Sequence, residues 1–228
     1  MYQNMQTYEI EIKSLLGEKE YADMLLEKMH QFDPDCRRVS QNSQLNHYFE
    51  GGDIQDLYQA VHHLFADEKL QRLQTIAKQG TSFSIRTRQK DDEVLLVVKA
   101  SLDGGTSENT VSRLEFEEIV DVSLAELDEL VLSAGYQYQA KWSRERQEYT
   151  YKDINVCIDK NAGYGYLAEF ETVTEDEKTA AEAKEKLKAM MDELGVKELD
   201  QDRLARMFEY YNTNWADYYG TNRTFVIE

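Results

Sequence analysis

The chain has 228 residues, 41% hydrophobic and 31% charged, enough to bury one sizeable core in a single domain. A formal charge of −18, from 44 acidic and 26 basic residues, argues against nonspecific binding to nucleic acid or to an anionic membrane surface, which needs excess positive charge. Cys36 and Cys157 lack CxxC spacing, no run approaches the roughly 18 apolar residues of a spanning helix, and the opening MYQNMQTYEIEIK has no basic flank before an apolar stretch, so a soluble, unprocessed cytoplasmic protein is expected.

Alternation and enrichment in β-branched and aromatic residues predict about eight strands, at 7–13, 44–49, 81–88, 94–100, 110–120, 136–143, 148–159 and 164–172. Between and after them, apolar residues at three- and four-residue steps predict helices. The first carries Tyr21, Met24, Leu25 and Met29, and the second Leu57, Val61, Leu64 and Phe65. A third spans Ser123–Ser133 with Ser123 as N-cap, a fourth Glu175–Leu194 closed by Gly195, and a fifth lies near Gln201–Tyr211. Gly51-Gly52-Asp53 and Asp103-Gly104-Gly105 read as turns. With one proline and no linker-like tract, a single domain over 1–228 is expected, with a helical, Tyr-rich extension from about 196. The fold class is α+β: an eight-stranded antiparallel β-barrel braced by helices.

Charged residues recur at even spacing on these strands: Glu9, Glu11 and Lys13; Arg86 and Arg88; Lys99; Arg113, Glu115 and Glu117; Arg144 and Arg146; Asp159; Glu169 and Glu171. Side chains at i and i+2 share a strand face, so each pair sets like charges side by side, which folding alone does not ask for. Seven are basic and seven acidic. Guanidinium and ammonium groups suit the oxygens of a polyphosphate, and hard carboxylate oxygens suit its divalent metal.

The segment Glu9-Ile10-Glu11-Ile12-Lys13 resembles the ExExK signature of the CYTH superfamily, the triphosphate tunnel metalloenzymes, which includes thiamine triphosphatases, inorganic triphosphatases and class IV adenylate cyclases. Arg86-Thr87-Arg88 resembles the family's RxR strand and Lys99 its following lysine. Arg113-Leu114-Glu115-Phe116-Glu117 resembles its RxExE strand, Arg144-Glu145-Arg146 with Tyr149 its basic strand, Asp159 its aspartate and Glu169-Phe170-Glu171 its closing ExE. The resemblance runs in order from about Tyr8 to Gly195. It implies a barrel holding a triphosphate in its lumen, with Glu9, Glu11, Glu169 and Glu171 on Mg²⁺ or Mn²⁺, joined by Glu117 or Asp159. Lys13, Arg86, Arg88, Lys99, Arg113, Arg144 and Arg146 would bind phosphate oxygens, and Lys13, Glu9 and Glu11 would stand nearest the chemistry.

Two stretches depart from that pattern. Asn214-Trp215-Ala216-Asp217-Tyr218-Tyr219 is only a distant counterpart of the family's C-terminal helix motif, and 53–80 is longer than a short connection, which suggests a lid or extra helix over one opening. His62-His63 is not read as a metal site, since adjacent helical residues do not face one ligand. Cys157 is expected against the barrel wall, and the Tyr-rich tail as packing rather than a ring-binding site. The leading function is metal-dependent hydrolysis of a small-molecule triphosphate, tripolyphosphate or thiamine triphosphate. The alternatives are a class IV adenylate cyclase and a noncatalytic polyphosphate- or nucleotide-binding module. The oligomeric state is left open.

Overall fold

The computed structural model describes residues 8–101, 113–174 and 177–227, and the side chains of Glu9 and Arg113 fall outside the described set, as does the turn expected at Asp103-Gly104-Gly105. The elements run β1 (Tyr8–Gly17), α1 (Lys19–Phe32), β2 (Arg37–Glu50), α2 (Ile54–Val61), α3 (Asp67–Gln79), β3 (Ser82–Lys90), β4 (Glu93–Ser101) and β5 (Arg113–Val120). Then come α4 (Leu124–Ser133), β6 (Gln137–Tyr151), β7 (Ile154–Asn161), β8 (Gly165–Thr174), α5 (Glu177–Leu194) and α6 (Gln201–Asn214). All eight strands join one sheet in the order β1-β8-β7-β6-β2-β3-β4-β5. The ladders described are antiparallel. The α+β class of eight antiparallel strands braced by helices is therefore the observed one.

The chain divides into two compact units. The first holds β1, α1, β2 through Asn42, β6 from Arg144, and β7, β8, α5 and α6; the second holds β2 from Ser43, α2, α3, β3, β4, β5, α4 and β6 through Ser143. In the first, Ile10, Ile12, Val156, Ile158, Ala168 and Phe170 meet Leu25 and Met29 of α1 and Leu187, Met191 and Leu194 of α5. Strand alternation then puts Glu11, Lys13, Asp159, Glu169 and Glu171 on the other face. In the second, Ile85, Leu96, Val98 and Phe116 meet α2 through Leu57 and Val61, α3 through Leu73 and Ile76, and α4 through Leu127 and Val131. Arg86, Arg88, Lys99, Glu115 and Glu117 stand on the reverse of that face. In the first unit α1 and α5, and in the second α2, α3 and α4, cover the apolar side of the strands.

Several expectations change in detail. The 53–80 stretch, expected as a lid or an extra helix, folds as α2 and α3 with a 3-10 turn at His62–Leu64 between them, and its apolar stripes are spent on the second core. On α1 the buried stripe is Ala22, Leu25 and Met29, while Tyr21 and Met24 are more than half exposed. The break expected near 144–147 is absent: β6 runs unbroken to Tyr151, and the chain reverses at Lys152-Asp153 with Lys152 at φ +51°. Helix α4 has the expected N-cap, with Ser123 and Glu126 forming a reciprocal capping box. The C-terminal segment is fastened at two points of the first unit. Leu199 N–H donates to the Lys13 carbonyl at 2.7 Å, and Gly163 at the β7–β8 turn exchanges backbone hydrogen bonds with Arg223 and Phe225 at 2.9 and 2.5 Å.

Candidate functional site

On the charged face of the first unit, the β1–β8 register sets Glu11 opposite Glu171 and Lys13 opposite Glu169. The next ladders bring Cys157 opposite Glu169 and Arg146 opposite Asp159. A continuous line of ion pairs results. Lys13 contacts Glu11 and lies 3.6 Å from Glu169. Glu169 accepts from Arg146 Nη2. Arg146 in turn grips Asp159 through Nε at 2.7 Å and Nη2 at 2.6 Å, and Arg144 Nη1 donates to the same carboxylate at 2.8 Å. Asp159 is 0% exposed, so its charge is tolerated only because two guanidiniums surround it.

The protonation states follow from this crowding. Burial alone would raise the Glu169 carboxyl, but Lys13 and Arg146, with Arg144 behind them, bring it down to about 2. Burial works against the Arg146 charge, and its bonds to Asp159 with the nearby charge of Glu169 more than restore it. Burial pushes the Cys157 thiol up to about 12, so it is no nucleophile at neutral pH. That residue, expected against the barrel wall, stands on the charged face.

The charged face of the second unit carries Arg86, Arg88 and Lys99 among its described side chains. Arg88 donates through Nη1 to Glu117 at 2.8 Å and through Nε to Asn46 at 2.7 Å. The guanidinium of Arg86 sits over the Tyr48 ring, 4.5 Å from its centroid, and Lys99 pairs with Glu115 at 3.0 Å. Asn46 and Tyr48 are the β2 neighbours of Arg88 and Arg86 in register, and no sequence motif marks them. The signal was present as polar residues at alternate positions, Gln44, Asn46 and Tyr48, on a strand with buried neighbours. What it lacked was the pairing partner.

A family model described as the CYTH domain matches residues 72–205, more than half of the chain. The chain belongs to the CYTH family. The matched segment holds the RxR, RxExE and ExE strands, and the ExExK strand β1 lies before it, tied in by its ladder with β8. No curated protein matches the chain. Among solved structures, a conserved hypothetical protein from Pyrococcus furiosus is 20% identical with a TM-score of 0.58, covering 83% of this chain and 91% of its own. A candidate adenylate cyclase from Vibrio parahaemolyticus is 16% identical at TM-score 0.56, covering 89% and 98%. A protein from Hippeastrum, described as a candidate adenylyl cyclase with a dominant triphosphatase activity, is 17% identical at TM-score 0.51, covering 90% and 96%. At these identities the likeness is one of fold. No helix is long and apolar enough to cross a membrane, among the described residues.

The CYTH residues expected as metal ligands divide by their surroundings. Both Asp159 oxygens are taken by arginines, and Glu117 is paired with Arg88. Glu11, which also meets Lys13, faces Glu171 across β1 and β8, and a divalent cation would reconcile the like charges of that pair. Hard oxygen donors suit Mg²⁺ or Mn²⁺, and in that chemical sense the donors fit. Among the described residues no three His, Cys, Asp or Glu side chains converge on one point, and the side chain of Glu9 is not among those described.

Proposed function

We propose that this CYTH protein is a divalent-metal-dependent hydrolase of triphosphates, with tripolyphosphate or thiamine triphosphate as its substrate class. The observation that carries the reading is the line Lys13–Glu169–Arg146–Asp159–Arg144, in which three cations are oriented by carboxylates on the strand face opposite the apolar core. Such cations would neutralise the non-bridging oxygens that gather charge as a phosphoryl group transfers. Lys13, Arg144 and Arg146 on the first unit and Arg86, Arg88, Lys99 and Arg113 on the second are the proposed phosphate ligands. Asp159 and Glu117 fix the arginines they contact, and each guanidinium so fixed loses little freedom when it meets a phosphate.

Glu11 and Glu171, with Glu9 and Glu169, would hold Mg²⁺ or Mn²⁺. Bound there, the cation would add charge neutralisation at the phosphate oxygens and acidify a coordinated water. Lys13, between Glu11 and Glu169, would present its ammonium to the terminal phosphoryl group and hold that group against the carboxylates. In the hydrolysis itself water attacks the terminal phosphorus, the bridging P–O bond breaks, and orthophosphate and a diphosphate leave, with the water's proton passing to a carboxylate.

Two further considerations bear on the reading. The Hippeastrum protein of the same fold is described by its triphosphatase activity, and the Vibrio protein as a candidate cyclase. A cyclase needs a pocket for the base, and the tail's rings pack on one another, Tyr210 against Phe225 at 4.7 Å and Tyr218 against Phe225 at 5.2 Å. The deciding experiment measures product release with Mg²⁺ or Mn²⁺ from tripolyphosphate, thiamine triphosphate and ATP, following orthophosphate, pyrophosphate and cyclic AMP together at fixed ionic strength. Tripolyphosphate should bind at least as tightly as ATP and release orthophosphate. Stoichiometric cyclic AMP and pyrophosphate from ATP, with tripolyphosphate inert, would establish the cyclase instead; binding without turnover would make it a binding module.

A further inference from the structure

Behind the RxR strand, on the face opposite Arg86 and Arg88, lies a buried polar cluster that the proposed chemistry does not use. Asp128, on α4 and only 4% exposed, accepts from Thr87 Oγ1 at 2.5 Å, from His47 Nδ1 at 2.7 Å and from Tyr138 OH at 2.7 Å. Lys141, stacked over the Tyr138 ring, stands 3.9 Å from the same carboxylate. Burial opposes the Asp128 charge, and the bonds from His47, Thr87 and Tyr138 outweigh it, so the carboxyl stays below its ordinary range.

The register makes this cluster more than a satisfied polar core. His47 and Thr87 are direct cross-strand partners on β2 and β3. On either side of that pair, Asn46 faces Arg88 and Tyr48 faces Arg86, and these are the contacts that hold the two guanidiniums. One carboxylate therefore clamps the middle rung of three from behind, while the outer rungs present the cations in front. Alternation couples the two sides rigidly, because rotating Thr87 about the strand axis carries Arg86 and Arg88 with it.

We infer that Asp128 is a positioning residue for triphosphate recognition, acting through Thr87 and His47 to set the aim of Arg86 and Arg88. This rests on the proposed role of those arginines as phosphate ligands. Asparagine at 128 would keep the shape but turn an NH₂ toward groups that are themselves donors, leaving at least one of them without an acceptor. Outer-shell partners that orient ligating groups commonly cost ten- to a hundredfold when removed.

The test compares wild type, Asp128→Asn, Thr87→Val, Arg88→Ala and the two doubles with Arg88→Ala. The readouts are the tripolyphosphate dissociation constant by calorimetry, KM and kcat with Mg²⁺, and the thermal midpoint of each variant. Asp128→Asn should weaken binding about tenfold and Thr87→Val severalfold, through KM rather than kcat. In the Arg88→Ala background either change should add much less, because the group being aimed is gone. A merely structural role would lower the midpoint and leave the binding effects additive, which overturns the inference. Should Asp128→Asn fail to fold, Thr87→Val and its double carry the same comparison. Arg88→Ala binding like wild type would overturn the phosphate-ligand reading. Arg88→Ala weakened while Thr87→Val binds like wild type would overturn the positioning inference alone.

Discussion

Glu169 shows how one residue's surroundings become a measurable property. Its folded pKa near 2 lies below the ordinary 4.5 because Lys13 and Arg146 overcome the cost of burial. A carboxyl depressed on folding stabilises the protein above its unfolded pKa, and that contribution drains away as pH falls from about 4.5 toward 2. The urea midpoint of the wild type should therefore drop more steeply across this window than that of Glu169→Gln; parallel curves would show that the surrounding cations do not hold the carboxylate. Asp159→Asn should cost on the order of 1.5–3 kcal/mol of stability in the same assay, since it removes the buried charge that both guanidiniums grip while Arg146 keeps Glu169. Arg86→Ala, by contrast, should leave the fold intact and cost on the order of 1.5–3 kcal/mol in kcat/KM, expressed mainly in KM. The charged residues of the face could all be named from period-two spacing. Which acid holds which base could not, because Asn46 and Tyr48 reach the arginines through strand register, and Asp128 reaches Thr87 through helix packing, neither of which a local pattern encodes.

Among the elements, β1 and β8 approach closely where two glycines meet. Gly165, at φ +76°, would place an added Cβ 2.3 Å from the Gly17 carbonyl oxygen, and Gly17 itself adopts φ +71° where the register shifts. Gly165→Ala should lower the thermal midpoint well beyond the ~1–2 kcal/mol that left-handed backbone alone costs a side chain. Gly220→Ala, with the same φ +71° and open space around it, is the control and should cost no more than that. Strand existence was legible from alternation, but ends were not. The β6–β7 turn is made by Lys152-Asp153, which carries neither glycine nor proline, whereas the gap between the strands expected at 136–143 and 148–159 lies mid-strand, where Arg144 and Arg146 meet carboxylates. Likewise, α1 and the 53–80 helices were readable as amphipathic, but which side each would bury depended on the strands beneath.

For the whole molecule, a charge of −18 repels a polyanion at long range, so under the proposed function recognition would depend on short-range cations and on substrate arriving with a divalent metal. Exhaustive chelation should abolish turnover while the far-ultraviolet dichroism stays unchanged, and restoring Mg²⁺ should raise the thermal midpoint by relieving the Glu11–Glu171 opposition. Full activity without divalent ions would end the metal-dependent reading. The packing of α1 and α5 on the apolar side of β1 also bears on how the protein can vary. Along β1, Ile10, Ile12 and Ser14 are buried toward the helices, and Glu11 and Lys13 are not part of that core. A saturation library over this strand, sorted once for cellular abundance and once for hydrolysis, should show an alternating map: even positions losing abundance, odd positions keeping abundance and losing activity. New substrate preferences could then be selected on one side of the sheet with little debt to the other.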